Sequence, residues 1–275
     1  MSSDWSSDVC SSDLAMIAPN PQAKTFTVRL KRQDGPDQPG YWEAFDVPVD
    51  EVQNIISVLQ WIAANPTTKD GKQTSAPVWD AGCLEEVCGS CTMVINGRVR
   101  QSCSALVDEY LTQGQGTISI EPMTKFPVVR DLFVDRQRMF DNLIKVKGWV
   151  PIDGTYDLGP GPEESQEQQE ERYALSRCMT CGCCLEACPQ FKKDNDFIGP
   201  QAIAQALYFN EHETGKALKE DRLEALMGPG GITDCGNAQN CVKVCPKEVP
   251  LTMAIGKIGR QTTVHAVKKF FTGKK

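Results

Sequence analysis

Apolar residues alternate with polar ones in two segments near the start of the chain. Phe26, Val28 and Leu30 share one side of the first segment if its backbone is extended. An Asp-Gly-Pro run at 34–36 follows it as a turn signal. The pattern predicts two strands joined by a turn. The apolar positions of the second segment are Trp42, Phe45, Val47 and Val49.

A helical pattern comes next. Asp50 and Gln53 have the spacing of a capping box, which predicts that a helix begins there. The Asn65-Pro66 pair predicts its end. The apolar residues on one side of this predicted helix are Val52, Ile55, Leu59 and Ile62.

A hairpin signal and a further strand complete the first half of the chain. The apolar residues 93–95 lead into Asn96-Gly97, a dipeptide that favours a two-residue hairpin turn. Residues 117–120 read as a closing strand. Strand, strand, helix and hairpin in this order predict a β-grasp domain, which we place at residues 22–125.

The spacing of apolar residues changes after Phe126-Pro127, and we interpret residues 126–172 as a helical connector. Its acidic run, 163–171, fits a solvated connector or helix face. From 173 to 275 no useful alternating run occurs, while Pro200 and Pro250 suit the first turns of helices, so an all-α domain is predicted. The helically spaced apolar residues of the connector are Leu132, Phe133, Met139, Leu143 and Ile144.

The first fourteen residues, MSSDWSSDVCSSDL, repeat Ser-Ser-Asp at unequal intervals, so no structural repeat explains them. The string is similar to the translation of a sequencing adaptor fused to a gene. We predict that residues 1–14 are not native and that Cys10 is a tail thiol without function.

Composition narrows the class of protein. The chain has 275 residues, 40% of them hydrophobic and 24% charged, which excludes general disorder and favours two domains. No uninterrupted apolar stretch reaches the roughly 18 residues of a membrane-spanning helix. The net charge of -7 argues against a nucleic-acid binder, because phosphate neutralisation needs a basic face.

The thirteen cysteines change the picture most. An odd number leaves one thiol over in any disulfide framework, and a chain of this length needs no such framework. The start of the chain lacks a signal-peptide pattern, from which we expect a reducing compartment. Metal clusters therefore become the leading hypothesis.

The first cysteine group predicts a 2Fe-2S cluster. Cys83, Cys88 and Cys91 have the plant-type C-x4-C-x2-C spacing, and Cys103 follows beyond the predicted hairpin. A zinc site of four cysteines is the alternative, although structural zinc sites favour two C-x2-C pairs and this group has one.

Two further groups follow the bacterial ferredoxin run C-x2-C-x2-C-x3-C-P. The first consists of Cys178, Cys181, Cys184 and Cys188, and Cys183 stands out of register inside it, so we interpret Cys183 as a packed thiol and not as a ligand. The second consists of Cys235, Cys241 and Cys245, with Ala238 where another cysteine would stand.

In such paired runs the last cysteine of each ligates the cluster of the other. Crossing them over gives two sets, from which we predict a 4Fe-4S cluster and a 3Fe-4S cluster. A water-ligated or empty second site is the alternative. Three clusters in one chain indicate electron transfer, and no catalytic residue is predicted. The four-thiol set is Cys178, Cys181, Cys184 and Cys245, and the three-thiol set is Cys188, Cys235 and Cys241.

From about residue 24 to 260 the chain resembles the iron-sulfur subunits of succinate dehydrogenase and fumarate reductase. The resemblance implies an α+β protein: an N-terminal β-grasp, plant-type 2Fe-2S ferredoxin domain followed by an all-α, bacterial-ferredoxin-like domain. The segments that carry it are CLEEVCGSC at 83–91, CMTCGCCLEACP at 178–189, FIGP at 197–200 and NCVKVCPK at 240–247.

The resemblance also implies partners. A flavoprotein subunit would hold FAD and the dicarboxylate site, and membrane-anchor subunits of the cytochrome b type would hold quinone and haem. The chain would carry electrons between them in succinate:quinone oxidoreduction, at the cytoplasmic face of the inner (plasma) membrane. Fumarate reduction in the opposite direction is one alternative, and a zinc-stabilised interaction protein without redox function is another.

The histidines and the basic residues after Glu248 fit a chain that carries electrons while its partners hold the substrate sites. We interpret His212 as a surface helix residue and His265 as part of a basic tail, neither of them catalytic. After Glu248 no acidic residue occurs. A membrane-facing segment and a solvated terminus both fit the basic tail, because polybasic segments bind anionic leaflets. The basic residues of this tail are Lys257, Arg260, Lys268, Lys269, Lys274 and Lys275.

Two positions depart from part of the family. Ubiquinone-reducing members resemble one another in having a Trp and a His at places that Lys193 and Gly236 hold here. A glycine offers no side chain to a quinone carbonyl, and a lysine offers a mobile point charge. We therefore expect menaquinone, or a haem, to accept the electrons at a site built mainly by the anchor subunit.

Overall fold

The computed structural model describes residues 24–114, 116–151 and 163–273. The first half is built on a sheet and the second on helices, which confirms the predicted fold class. The elements of the first half are β1 (Thr25–Arg32), β2 (Tyr41–Pro48), α1 (Ile55–Ala64), β3 (Thr92–Ile95), β4 (Arg98–Gln101), α2 (Val107–Thr112) and β5 (Thr117–Glu121).

The five strands form one sheet in the order β2-β1-β5-β3-β4. β1 pairs antiparallel with β2 and parallel with β5, while β3 pairs antiparallel with both β4 and β5. Asn96 and Gly97 turn the β3–β4 hairpin with φ of 47° and 76°, as a two-residue turn requires. Helix α1 packs its apolar side on this sheet. The buried residues between them include Phe26, Val28, Leu30, Phe45, Val47, Ile55, Leu59, Ile62, Ile95 and Ile118.

Two predictions about this half were wrong in detail. Asn54, not Asp50, caps α1, and its capping-box partner is Ser57, whose backbone N–H lies 2.9 Å from Oδ1 of Asn54. Asp50 lies in a single 3-10 turn before the helix. Trp42 lies outside the core, where the Arg29 guanidinium stacks 4.8 Å from its ring centre.

Beyond β5 the chain forms a short hairpin before any helix. β6 (Val128–Arg130) pairs with β7 (Phe133–Val134), so the helical spacing predicted around Leu132 and Phe133 was wrong. Helix α3 (Gln137–Lys145) begins only afterwards. Leu132 is buried in the core of the first half, whereas Phe126 is buried in that of the second. The predicted boundaries between 125, 126, 172 and 173 remain predictions.

The second half contains helices of very different lengths. They pack around a core that includes Phe191, Phe197, Ile203, Leu207 and Ile258. Pro200 lies in the first turn of its helix, as predicted, and Pro250 occupies the cap position just before the last helix. The helices are α4 (Gln166–Ser176), α5 (Cys183–Glu186), α6 (Gly199–Asn210), α7 (Lys219–Met227), α8 (Asn240–Lys243) and α9 (Leu251–Thr272).

Some sequence predictions concern residues outside the described ranges. They are residues 1–14 with Cys10, part of the predicted connector at 152–162, and the terminal Lys274 and Lys275. The acidic run at 163–171 leads into α4, where Glu164 pairs with Arg172 and Glu171 pairs with Lys257 of α9. Within the described ranges, no helix has the length and apolar character needed to cross a bilayer.

A buried charge network joins the start of the sheet to the β6–β7 hairpin. The Arg32 side chain is fully buried and contacts Glu43 at 2.8 Å and Asp131 at 2.9 Å. Asp131 also accepts backbone N–H bonds from Gln33 and Val78. Each charge in the network therefore has a partner, as burial requires.

Arg32→Met should lower the free energy of unfolding by about 3–5 kcal/mol, because it leaves two buried carboxylates without their cation. Denaturant unfolding of the full chain measures this change. Arg29→Met is the matched control on the exposed side of β1, and it should cost less than about 1 kcal/mol. Equal losses in the two variants would contradict a structural role for the network.

Candidate metal centres

The first candidate site is a loop that points backbone N–H groups at sulfur atoms. The Cys83 sulfur accepts from the N–H groups of Glu85 at 3.4 Å, Val87 at 3.2 Å and Cys88 at 3.3 Å. The loop reaches this shape through left-handed residues, with φ of 60° at Leu84 and 55° at Glu86. A loop of this shape presents several N–H donors to one ligand sulfur.

The other thiols of this site have contrasting environments. Cys88 is exposed, and a hydrogen bond from the Cys83 backbone is the main cause that lowers its pKa to about 6. Cys91 and Cys103 are buried below the loop, and burial raises the pKa of Cys91 to about 12. A Cβ on Gly82 would lie 3.2 Å from the Cys88 sulfur, so the glycine keeps the space beside it open.

The second candidate site is a small cavity inside the helical half. Burial raises the pKa of Cys178 to about 11, with Cys181 and Cys245 as nearby like charges. Val249 donates its N–H to the Cys245 sulfur at 3.3 Å. The cysteines that line the cavity are Cys178, Cys181, Cys183, Cys184 and Cys245.

The third candidate site is a small cavity whose lining includes Cys188, Cys235 and Cys241. Burial is the main cause that raises the pKa of Cys241, and the charges of Cys188 and Cys235 raise it further. Ala238 also lines this cavity.

The two cavities bring together the sets that the crossed-over ferredoxin spacing predicts. Cys245 of the last run lines the cavity of the first run, and Cys188 of the first run lines that of the last. Among the described residues, no three Cys, His, Asp or Glu side chains converge closely enough to hold a single metal ion. Which of these thiols bind iron remains a prediction.

Cys183 belongs to the cavity wall but differs from its neighbours. Its side chain is fully buried, and it shares a hydrogen bond with the Cys181 thiol. This bond lowers the pKa of Cys181 and, together with burial, raises that of Cys183 well above its usual range. Cys183 therefore keeps its proton where Cys181 is disposed to lose one.

The first and second sites touch through the backbone. A Cβ on Gly89 would lie 2.6 Å from the Cα of Cys181, so only glycine fits there, and its φ is 75°. Thr92 Oγ1 lies 2.8 Å from the Cys181 carbonyl oxygen, and Arg136 donates to that of Gly89 at 2.7 Å. Sequence reasoning missed Thr92 and Arg136, because neither stands in a cysteine motif.

Comparison with known proteins agrees with this architecture. The 2Fe-2S iron-sulfur cluster binding domain family matches residues 27–141, and the 4Fe-4S dicluster domain family matches residues 174–249. The succinate dehydrogenase iron-sulfur subunit of Bacillus subtilis is 51% identical over 250 residues, covering 91% of this chain and 97% of that one. The chain belongs to the iron-sulfur subunits of succinate dehydrogenase and fumarate reductase.

Other relatives in this family are more distant. The fumarate reductase iron-sulfur subunit of Haemophilus influenzae is 31% identical over 235 residues, covering 80% of this chain and 86% of that one. A chain of the Mycobacterium smegmatis Sdh1 complex in the apo form has the same fold, with a TM-score of 0.70 and 21% identity over 90% of this chain and 98% of that one. As an iron-sulfur subunit, this chain transfers electrons within the succinate:quinone oxidoreductase complex.

The histidines of this iron-sulfur subunit have structural contacts. His212 lies just beyond α6, not on a helix face as predicted, and its Nδ1 accepts from the N–H groups of Thr214 and Gly215 at 3.1 Å. His265 lies on α9, where Nε2 is 2.8 Å from a Glu224 carboxylate oxygen. Neither lines a cysteine cavity.

Of the two positions that depart from ubiquinone-reducing members, one lies at the third site and the other on an exposed loop. Gly236 lines its cavity, and a Cβ there would lie 2.5 Å from Nε2 of Gln190. Gln190 therefore fills the space that a side chain at 236 would take. Lys193 is exposed on a loop, and Arg138 holds that loop by donating to the Phe197 carbonyl oxygen at 3.1 Å.

Cys88 should be the most reactive thiol of the cluster-free chain near neutral pH, because a thiol with a pKa of about 6 is mostly thiolate at pH 7. Iodoacetamide labelling followed by mass spectrometry should give a half-maximal rate at Cys88 near pH 6. Ser90→Ala removes a donor that lowers this pKa, so its midpoint should move upward. A midpoint near the ordinary value of about 8.5 would contradict the assigned hydrogen bonds.

Proposed function

We propose that the three cysteine sets hold three different clusters. Cys83, Cys88, Cys91 and Cys103 hold a 2Fe-2S cluster, the set of four around the second cavity holds a 4Fe-4S cluster, and the set of three around the third cavity holds a 3Fe-4S cluster. The single observation that carries the proposal is that each cavity is lined by thiols from both ferredoxin runs. The four-thiol set is Cys178, Cys181, Cys184 and Cys245, and the three-thiol set is Cys188, Cys235 and Cys241.

When bound, such clusters accept and release single electrons at potentials that depend on ligands, sulfur hydrogen bonds and burial. The chain's own residues supply these three controls. The loop of the first site donates backbone N–H groups to sulfur. The second cavity is lined mainly by cysteine and apolar side chains, whereas the third also has polar ones in its lining, among them Gln190 and Asn237. The third cavity has Ala238 in place of a fourth thiol, which supports a cluster with one iron fewer.

The partners follow from membership of the family. We infer that an FAD-containing flavoprotein carries the dicarboxylate chemistry and that cytochrome b-type anchor subunits receive the electrons at the cytoplasmic face of the membrane. The end of α9 supports a docking role, because Phe270 and Phe271 are 82% and 80% exposed beside Lys268 and Lys269. The 51% identity to a succinate dehydrogenase subunit, against 31% to a fumarate reductase subunit, favours succinate oxidation as the direction.

Metal analysis with EPR of the full chain tests the cluster assignment. We expect about nine irons per chain with matching acid-labile sulfide, and an EPR signal from each of three centres. Cys103→Ser is the internal control, since it should remove only the signal of the 2Fe-2S centre. Zinc without sulfide would instead favour the interaction protein stabilised by zinc.

We propose further that menaquinone, or a haem of the anchor, accepts electrons near the third site. Gly236 has no side chain to bind a quinone carbonyl, and Gln190 occupies the adjoining space. The exposed Lys193 provides a mobile charge and no planar hydrogen-bonding group. These features support a quinone site built mainly by the anchor subunit.

Ala238→Cys should convert the third centre to four irons and lower its reduction potential, because a fourth thiolate adds a ligand and negative charge. The oxidised 3Fe EPR signal of the metal-replete variant should fade. Ala238→Ser is the matched control, and it should leave most of that signal in place. A full-strength 3Fe signal in Ala238→Cys would contradict the view that the missing thiolate sets the iron count.

Lys193→Ala should change the quinone KM of the purified complex by less than about tenfold, or roughly 1.4 kcal/mol, because Lys193 lies outside the quinone site in this proposal. Succinate oxidation with an artificial acceptor at the flavoprotein serves as the control. If Lys193→Ala abolishes quinone reduction while that control activity persists, the quinone binds against this chain and the proposal is wrong.

A further inference from the structure

A groove rich in positive charge lies between α7 and α9. Lys219 begins α7 on one side of this basic groove, and Arg260 lies on α9 on the other. Among the described residues of its lining, Glu220 is the only carboxylate. The cations that line the groove are Lys216, Lys219, Lys257, Arg260 and Lys268.

These cations divide into paired and unpaired ones. Lys216 pairs with Glu213, and Lys257 pairs with Glu171 of α4. Within the described ranges, the charged groups of Lys219, Arg260 and Lys268 have no ion-pair or hydrogen-bond partner. An anion bound in the groove would therefore gain three cations without breaking an ion pair of the protein.

An apolar stripe continues the groove along α9. Val264, Val267 and Phe271 are 45%, 51% and 80% exposed. Their spacing of three and four residues places them on one face of the helix, the face that also carries Arg260 and Lys268. A soluble anion needs only the cations, whereas a phospholipid presents a phosphate and acyl chains together, which fits both features.

The position of α9 favours a lipid surface as the occupant. Ile255, in the second turn of α9, lines the third cysteine cavity, from which electrons leave toward the membrane in the proposed function. At 1.5 Å per residue, Arg260 lies about 8 Å and Phe271 about 24 Å further along the helix axis. α9 carries no acidic residue. Protein interfaces are depleted of lysine, whereas an anionic leaflet attracts it.

We propose that the basic groove and the apolar stripe bind the surface of a membrane that contains anionic phospholipids. Headgroup phosphates occupy the groove, and the stripe lies among the ends of the acyl chains nearest the headgroups. The inference rests on the proposed function, which places the start of α9 beside the anchor subunits. The last turns of α9 then provide a second attachment to the membrane, in addition to the anchor.

Flotation of the purified full chain with vesicles tests the groove. Vesicles of phosphatidylglycerol and phosphatidylcholine in equal parts should bind the chain, and vesicles of phosphatidylcholine alone should bind it much more weakly. Lys219→Gln should lower the partition coefficient about fivefold, the factor that corresponds to about 1 kcal/mol per cation. Lys72→Gln makes the same change of charge at an exposed position in the first half, and it should change the coefficient by less than about twofold.

Phe271→Ser tests the apolar stripe in the same assay. The partition coefficient should fall about tenfold, because the variant loses an aromatic side chain that is buried in the membrane surface. Phe140→Ser is the matched control, since Phe140 lies on α3 and is 48% exposed. This control should bind vesicles as the wild-type chain does.

Each other outcome would overturn the proposal in a distinct way. Equal binding to both kinds of vesicle, or equal losses in Lys219→Gln and Lys72→Gln, would exclude a lipid site in the groove. Release by inorganic phosphate beyond release by chloride at equal ionic strength would show a site for soluble anions. Unchanged vesicle binding by Lys219→Gln and Phe271→Ser, with loss of both variants from the purified complex, would assign the surface to an anchor subunit.

EPR spectra of the same samples separate this proposal from the proposed function. Missing cluster signals in the wild-type chain would count against the proposed clusters. Loss of lipid selectivity with all cluster signals intact would count against the lipid surface alone.

Discussion

Negative charge on buried sulfur is the constraint on which the second half of this protein depends. Burial raises the pKa of Cys184 well above its usual range, and the neighbouring thiols Cys181 and Cys178 raise it further. Without a cation between them, burial and the repulsion of like charges in a low-dielectric interior favour the protonated forms of Cys178 and Cys184. Iron held by these thiols, as proposed, would offset this repulsion, and its binding would release the protons.

The backbone around each ferredoxin run offsets part of the effect of burial on the thiols. Gly182 and Gln239 both adopt left-handed conformations directly before the short helices α5 and α8. A turn of this kind aims N–H groups into the cavity, and the backbone at Thr180 and Val242 lowers the pKa of Cys178 and Cys241 against the effect of burial. The first site uses an exposed loop instead of a buried cavity. The pKa of its exposed Cys88 is lowered, whereas burial raises the pKa of thiols such as Cys184.

The sequence predicted what depends on local pattern and on spacing. The sheet strands, the Asn96-Gly97 turn and the grouping of cysteines across two runs followed from periodicity and from ligand spacing. The sequence did not predict contacts between distant residues. Glu43 is buried on β2 because Arg32 pairs with it, and Arg32 also pairs with Asp131, which lies 99 residues after Arg32. The helix start was misjudged because Asp50 and Asn54 have equivalent capping chemistry. The helix begins after Asn54, where Ile55 is buried against the sheet.

The segment between β5 and the β6–β7 hairpin fixes how the two halves meet. Thr124 and Lys125 donate backbone N–H groups to the Glu186 carboxylate, and the Lys125 ammonium donates to the Cys188 carbonyl oxygen. These bonds hold the backbone of the first ferredoxin run against the end of the first domain. At the same junction, Cys181 leaves no room for a side chain at Gly89. Backbone contact, and not pairing between flexible side chains, therefore sets the separation of the first two centres. Because the rate of electron transfer falls steeply with separation, a junction built this way keeps that rate insensitive to side-chain motion, and it leaves the hydrogen bonds to sulfur free to differ between the sites and so to set their potentials.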